Sequence, residues 1–256
     1  GSDSGGGAGI QADLKTFQEL DTFGMTVITA LTAQNTLGVH GVYPQSLEAI
    51  EKQIDAVISD IGVDAVKTGM LFSADIIALV ANKLKEYDVK NIVVDPVMIA
   101  KGGAPLLLDE AITALIEKLI PIATVITPNL PEAAKILGIA EINTLDEMKE
   151  AVVKLHELGP RYVVLKGGHL SKQRAIDLLY DGETIHEFEA ERIETKHTHG
   201  TGCTFAAAIA AQLAKGDAIF DAVATAKRFI TKAIERALPI GHGIGPTYHA
   251  AYRTSR

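Results

Sequence analysis

The chain has 256 residues, with 24 Lys and Arg against 32 Asp and Glu; its formal charge of -8 repels phosphate backbones and argues against nucleic acid as a partner. A single cysteine, Cys203, excludes both an intramolecular disulfide and a four-cysteine zinc site and fits a reducing, cytoplasmic setting. Its longest apolar runs, such as Leu119 to Ile126, fall short of the ~20 residues a membrane span needs, so no membrane partner is expected.

Hydrophobic residues make up 47% of the chain and aromatics 5%, which implies an aliphatic core of the kind found in helix-covered parallel sheets. At this length packing alone suffices for stability, and one domain over residues 1–256 is expected. In chain order, a glycine-rich opening, GSDSGGGAG, runs into a helix predicted over Ile10 to Leu20. A strand follows near Met25 to Ala33, then a helix over Ser46 to Ile61 and a strand over Asp64 to Thr68. The alternation continues with a helix over Ser73 to Glu86, a strand over Asn91 to Asp95, a helix over Asp109 to Leu119 and a strand over Thr124 to Thr127. Helices over Pro131 to Leu137 and Leu145 to Leu158 precede a strand over Tyr162 to Lys166. Ser46 and Ser73 sit where N-caps belong, and Thr144 precedes Glu147 at capping-box spacing.

Near the end the rhythm changes. Ala175 to Tyr180, Asp181-Gly182 and Thr184 to Phe188 read as a hairpin, because Asp-Gly supplies the positive φ values of a tight turn. Ala-rich helices then span Cys203 to Lys215 and Ile219 to Ala237. The pattern predicts an α/β fold: a central, mainly parallel sheet, helices on both faces and an antiparallel edge hairpin.

In open α/β sheets the ligand crevice lies beyond the carboxyl ends of the strands. Five strand endings carry polar or turn residues there: Gln34-Asn35, Thr68-Gly69-Met70, Asp95-Pro96, Thr127-Pro128-Asn129 and Lys166-Gly167-Gly168. Each alone is ordinary turn chemistry; together they point to one edge. HGTGCTF, from His199 to Phe205, places two glycines before a helix, whose first amides and positive end make an anion hole suited to a phosphoryl group, although Thr201 or Thr204 could merely cap the helix. Cys203 falls in that first turn, where the helix end lowers a thiol pKa and favours a thiolate that accepts a proton; a small core residue is the alternative.

Other signals carry less. The glycine-rich opening lacks the Lys-Ser/Thr ending of a P-loop, and no such motif occurs in the chain. Asp3-Ser4-Gly5-Gly6 is similar to the nucleophile region of chymotrypsin-like proteases, but their all-β, disulfide-bearing architecture does not fit. His197 and His199 form a potential metal pair without a third ligand. His40, His156, His169, His186, His242 and His249 read as surface or turn residues, and GHGIGP, Gly241 to Pro246, as a loop bordering a site without assigned chemistry.

GSDSGGGAGIQADLKTF, TALTAQNTLGV, KTGML, VVDPVM, TPNLPEA, KGGH, HGTGCTF and GIGP, in this order, cover essentially the whole chain. With them the chain resembles the hydroxymethylpyrimidine and phosphomethylpyrimidine kinases of thiamin biosynthesis, in the ribokinase-like superfamily that also holds the pyridoxal kinases. The resemblance implies a ribokinase-like three-layer sandwich and transfer of the ATP γ-phosphoryl to 4-amino-5-hydroxymethyl-2-methylpyrimidine, a second transfer giving the diphosphate. Family members usually carry one further apolar strand before GSDS; a start at Gly1 suggests missing upstream residues and leaves that first strand open.

By position in the matching motifs, Gly1, Asp13, Gln34 and Met70 are the implied acceptor-ring contacts, Gln34 because its amide both donates and accepts. Asn129 and Glu132 form the family's N-x-x-E element, which helps hold Mg²⁺ near the phosphates, with Asp95 beside it. Lys166 sets a point charge against the ATP phosphates, together with Asn129, Thr201 and Gly202. Cys203 stands where many superfamily members have an aspartate base, and the amides of Gly200, Thr201, Gly202 and Cys203 form the anion hole. The implied partners are ATP, Mg²⁺ and a small heteroaromatic alcohol, in a cytoplasmic homodimer. A pyridoxal kinase, or an enzyme acting on both rings, is the nearest alternative, and a non-catalytic nucleotide-binding regulator the one from another class. The AQNT segment with Gln34 favours the pyrimidine.

Overall fold

The computed structural model describes residues 1–100, 103, 106–168, 170 and 174–255. At the amino-terminal end, β1 (Ser2–Asp3) pairs parallel with β2 (Ala30–Asn35), and β2 pairs antiparallel with β3 (Gly38–Pro44). The strand predicted over Met25 to Ala33 therefore starts later than its β-branched run suggests. Before Ala30 the backbone finds a side chain instead of a neighbouring strand: Ile28 N donates to Gln53 Oε1 at 2.9 Å. The strand β3 was not predicted, because two glycines and a proline interrupt its alternation.

The remaining strands form one six-stranded sheet in sequence order, β4 (Val66–Thr68), β5 (Ile92–Val94), β6 (Val125–Ile126), β7 (Tyr162–Lys166), β8 (Arg174–Tyr180) and β9 (Ile185–Glu191). Strands β4 to β7 run parallel, and β8 and β9 add the expected antiparallel edge. In the hairpin only Gly182 takes a positive φ; Asp181 closes the turn with its carboxylate, accepting from Glu183 N at 2.9 Å and Thr184 N at 2.7 Å. Strand β1 is two residues long and pairs with β2, and β4 is an edge strand of the six-stranded sheet.

Alternation along the strands divides the core between two faces. Ile92, Val94, Val163 and Leu165 pack on one side, with α2 (Leu47–Asp60), α3 (Ala74–Glu86), α4 (Asp109–Ala114), α5 (Leu130–Leu137) and α6 (Leu145–His156). Val93, Val125 and Val164 pack on the other, with α7 (Thr201–Ala214), α8 (Ile219–Glu235) and the end of α1 (Gly9–Glu19). This is the three-layer α/β arrangement. The helix predicted to run unbroken to Leu119 is α-helical only to Ala114 and continues as a π turn over Leu115–Leu119. Ser46 and Ser73 cap α2 and α3, and Thr144 with Glu147 closes a complete capping box on α6.

Helix α7 has no polar stripe, since Thr204 through Leu213 are all buried. Alanine is the residue that lets it lie against the sheet, α1 and α8 together, and this fixes where its first turn points. Adding volume at its centre forces a shift. Ala208, fully buried, replaced in Ala208→Leu should lower the unfolding free energy by about 1–3 kcal/mol, measured by urea denaturation; an unchanged midpoint would contradict the close packing of α7.

Candidate active site

A cavity of about 520 Å³ opens at the carboxyl ends of β4, β5 and β7, bounded by the glycine loop after β1, by β2 and by the start of α7. All twelve site residues expected from the sequence line it, from Gly1, Asp13, Gln34 and Met70 through Asp95, Asn129, Glu132 and Lys166 to Gly200, Thr201, Gly202 and Cys203. Strand endings deliver the first groups because each parallel strand stops at the same edge, and α7 delivers the last because its N-terminus faces that edge.

Charge is concentrated here and is almost dry. Asp95, at the end of β5, is 3% exposed and accepts from Lys166 Nζ at 3.1 Å and from Thr127 Oγ1 at 3.3 Å. Burial alone would lower the Lys166 pKa, but the carboxylates of Asp95 and Glu132 outweigh it and hold the ammonium above its ordinary value. Burial raises Glu132 to about 7, with Asp95 adding to the rise and Lys166 opposing it. The start of α7 reaches the same spot: a Cβ on Gly202 would stand 3.4 Å from Lys166 Nζ and 3.7 Å from Asp95 Oδ2.

The N-cap of α7 is Gly200, in the left-handed region at φ 81, and no side chain caps the helix. Both capping alternatives are spoken for elsewhere, Thr201 Oγ1 donating to Thr198 O at 2.7 Å and Thr204 Oγ1 lying 3.0 Å from His249 Nε2. The Thr201 amide reaches Thr198 O at 3.3 Å, whereas the Gly202 and Cys203 amides donate to nothing among the described residues. Two unpaired donors and the helix dipole thus face a buried cation, an arrangement that attracts an anion.

On the opposite wall Asp13, from α1, receives Lys67 Nζ of β4 on both oxygens, at 2.9 and 3.1 Å. Burial pushes the Asp13 carboxyl up and Lys67 offsets this only in part; Asp13 and Asp95 in turn keep Lys67 protonated against its own burial. Lys67 was not singled out in the sequence, although a lone lysine inside the short strand Val66–Thr68 was the available signal. Gln34 Oε1 accepts from Thr32 Oγ1 at 3.1 Å, and Met70, 6% exposed, closes the cavity with its sulfur beside Gly1. Thr68 Oγ1 is buried at the same place with no partner among the described residues.

Two expectations change, and a third pair of residues gains a second role. Cys203 does face the cavity, but its thiol pKa is raised, because burial and then Asp13 and Asp95 outweigh the help of Lys67, so the group is a thiol at neutral pH and not the thiolate that the helix end alone would give. Asn129 and Glu132 form a reciprocal capping box on α5, Asn129 N donating to Glu132 Oε2 at 2.8 Å and Glu132 N to Asn129 Oδ1 at 2.9 Å, so part of their oxygen inventory is already used. His249 is buried in contact with Thr204, not superficial, and burial lowers its pKa to about 4. His40 and His242 are exposed as expected, and His156 and His186 half-buried at element ends; His169 lies outside the described residues. His197 Nδ1 accepts from Gly245 N at 2.9 Å within the carboxy-terminal loop, and His199 turns to Asp3 and not to a metal partner.

Among the described residues no three His, Cys, Asp or Glu side chains gather into a metal cage, and no helix is long and apolar enough to cross a membrane. Asp95 and Glu132 still fit a hard divalent cation that takes most of its ligands from phosphate and water.

The family model for phosphomethylpyrimidine kinase matches residues 3–248. The chain belongs to the phosphomethylpyrimidine kinase family. It is 56% identical over 254 residues to the hydroxymethylpyrimidine/phosphomethylpyrimidine kinase of Bacillus subtilis, covering 99% of this chain and 93% of that one. Among solved structures it is similar to the pyridoxal kinase of Bacillus subtilis in its ADP complex (TM-score 0.92, 49% identity, 99% and 96% of the two chains). It is also similar to the pyridoxal kinase of Staphylococcus aureus in complex with AMP-PCP and pyridoxal (TM-score 0.92, 40% identity, 98% and 91% of the chains). The fold is the ribokinase-like three-layer sandwich expected from the motifs.

The raised Glu132 carboxyl has a consequence for stability. Between its ordinary value of 4.5 and about 7 the folded protein holds a proton that the unfolded chain has released, so this group favours folding at low pH and its contribution is lost as pH rises to 7. His249 works in the opposite sense, favouring the folded state above 6.5 and losing that contribution as pH falls to about 4. Urea unfolding of wild type and Glu132→Gln at pH 5 and pH 7 isolates the first term. The variant should lose the acid-side gain; parallel pH curves for the two proteins would contradict the raised carboxyl.

Proposed function

We propose that the protein transfers the γ-phosphoryl group of ATP to the hydroxymethyl oxygen of 4-amino-5-hydroxymethyl-2-methylpyrimidine and, in a second turnover, to the monophosphate so formed. The observation that carries this reading is the meeting, in one cavity, of an uncapped helix start, a buried lysine and a thiol on one wall with ring-reading groups on the other. The kinase name carried by the Bacillus subtilis relative and the family model supports the same acceptor.

In this mechanism the amides of Gly202 and Cys203, with the Gly200 and Thr201 turn, take the migrating phosphoryl oxygens, and Lys166 neutralises the nucleotide's phosphates beside them. Asn129 holds the nucleotide with the side-chain nitrogen that its capping box leaves unused. Magnesium supplies charge neutralisation on the phosphates when bound with the nucleotide, and Asp95 and Glu132 are the residues that would hold it. Gln34 and Asp13 read the ring's amine and nitrogen edge, and Met70 and the Gly1 backbone bound its face. Cys203 accepts the hydroxyl proton in its thiolate form, which its raised pKa makes the minor one at neutral pH, and a loose transition state calls for that transfer only late, as P–O cleavage advances.

A single domain over residues 1–256, working in the cytoplasm as a homodimer, completes the proposal. The cross-strand pair Leu31 and Tyr43, 43% and 59% exposed on the outer face of the small sheet, supports self-association. A second reading, phosphorylation of pyridoxal in place of or beside the pyrimidine, is supported by the Staphylococcus aureus neighbour that binds pyridoxal.

ATP consumption measured in parallel with hydroxymethylpyrimidine, its monophosphate, pyridoxal and ribose separates these readings: both pyrimidines should turn over and ribose should not. Turnover of pyridoxal alone would reverse the Gln34 argument, and no turnover with any ring alcohol would favour a nucleotide-binding regulator. Gln34→Met should raise KM for the pyrimidine much more than KM for ATP; equal effects would reject its role as a ring reader. Cys203→Ala should lower kcat by about 10²-fold, at the low end for a proton-transfer group, and an unchanged kcat would remove Cys203 from the chemistry.

A further inference from the structure

One buried pair that the mechanism leaves unused lies at the cavity itself. Asp3, 2% exposed, and His199, 9% exposed, meet at 2.8 Å between Oδ2 and Nε2. Asp3 does more than pair with the imidazole: Oδ1 accepts from Gly5 N at 2.8 Å, and Oδ2 from Gly7 N at 3.0 Å and Ala8 N at 2.8 Å. Burial alone would raise this carboxyl, but His199 and the loop amides pull it below the ordinary value, so it stays an anion. His199, for its part, is fixed by its backbone to the carboxy-terminal loop, His199 N donating to Gly245 O at 3.1 Å and Thr247 N to His199 O at 3.2 Å. It is the residue directly before the N-cap of α7.

The two glycine segments touch at this pair. A Cβ on Gly200 would stand 1.7 Å from Gly7 O, and one on Gly7 would stand 2.4 Å from His199 Cδ2. Gln34 Nε2 lies 3.5 Å from the same imidazole nitrogen. Displacing the imidazole therefore frees three things at once: the glycine loop, the turn that aims the Gly202 and Cys203 amides, and one neighbour of the ring reader.

We propose that Asp3 and His199 form a positioning pair that locks the loop Gly5–Ala8 against the turn His199–Gly202 and thereby sets the aim of the anion hole. The inference rests on the phosphoryl-transfer reading for its effect on rate, but not for its effect on the loop. Neither side chain donates to the transferred group; they act through the backbone. Misplacing preorganised donors by about 1 Å costs on the order of 10²-fold in rate, with little effect on substrate binding made elsewhere.

The test compares wild type, His199→Ala, His199→Gln and Asp3→Asn by steady-state kinetics and by hydrogen exchange of the peptides covering 3–9 and 199–205. His199→Ala and Asp3→Asn should lower kcat by about 10²-fold for pyrimidine and pyridoxal alike, with KM for ATP little changed and faster exchange in both peptides. His199→Gln, whose amide can place a donor near the imidazole Nε2, should recover most of the rate. A rate loss without faster exchange, a loss confined to KM, or no rescue by glutamine in a folded protein would overturn the proposal. Should His199→Ala fail to fold, the near-isosteric Asp3→Asn decides by the same two readouts. If wild type turns over no ring alcohol, the kinase reading falls, and exchange alone then decides the positioning role.

Discussion

Four charges lie out of water at one edge of this fold, and they are tolerable only because they come in pairs. Lys166 meets Asp95 at 3.1 Å and Lys67 meets Asp13 at 2.9 Å, with side-chain exposures between 3% and 15%. An isolated buried charge costs several kcal/mol, and removing one partner of such a pair typically costs about 3–5 kcal/mol. The pairs are therefore weak sources of stability but strict constraints on geometry. They hold β4, β5, β7 and α1 in the relation that keeps the cavity open between them.

Within that constraint the chemistry divides by wall. The Lys166 side joins a cation to the unpaired amides of α7, a combination that stabilises charge on a transferring phosphoryl group without reorganisation. The Lys67 side presents a carboxyl group paired with its lysine at 2.9 Å, flanked by an amide and a thioether, a combination that reads a small polar heteroaromatic ring. Cys203 stands between the two, under the influence of Lys67, Asp13 and Asp95 together. Its raised pKa leaves it a thiol at neutral pH, so only its minor thiolate form accepts a proton, late in a loose transition state. The Asp3–His199 pair closes the frame from behind.

Much of this was legible in the sequence because the signals were local. Strand endings such as VVDP and VLKGG name their own carboxyl edge, and HGTGC before an alanine run announces both the turn and a helix, though not that this helix is buried on all sides. What escaped detection depended on contacts distant in sequence. Lys67 looks like a surface charge until Asp13, 54 positions earlier, is placed against it. Asp3 and His199 are 196 positions apart; around them the sequence offers only an ill-fitting protease likeness and an incomplete metal pair, and neither residue points to the other. Strand β3 was hidden by its glycines, and the N-x-x-E element carried two meanings at once, a capping box and a cation-facing carboxylate.

The account stands on the placement of the acceptor's hydroxymethyl oxygen between Cys203 and the start of α7. The most direct measurement is a crystal structure of the protein with the hydroxymethylpyrimidine and a non-hydrolysable ATP analogue bound together. The account predicts the hydroxymethyl oxygen within hydrogen-bond reach of Cys203 Sγ, the terminal phosphate against the Gly202 and Cys203 amides, and the ring beside Gln34 and Asp13. A ring bound in the cavity with its hydroxymethyl group turned away from Cys203, or phosphates that do not approach α7, would contradict it.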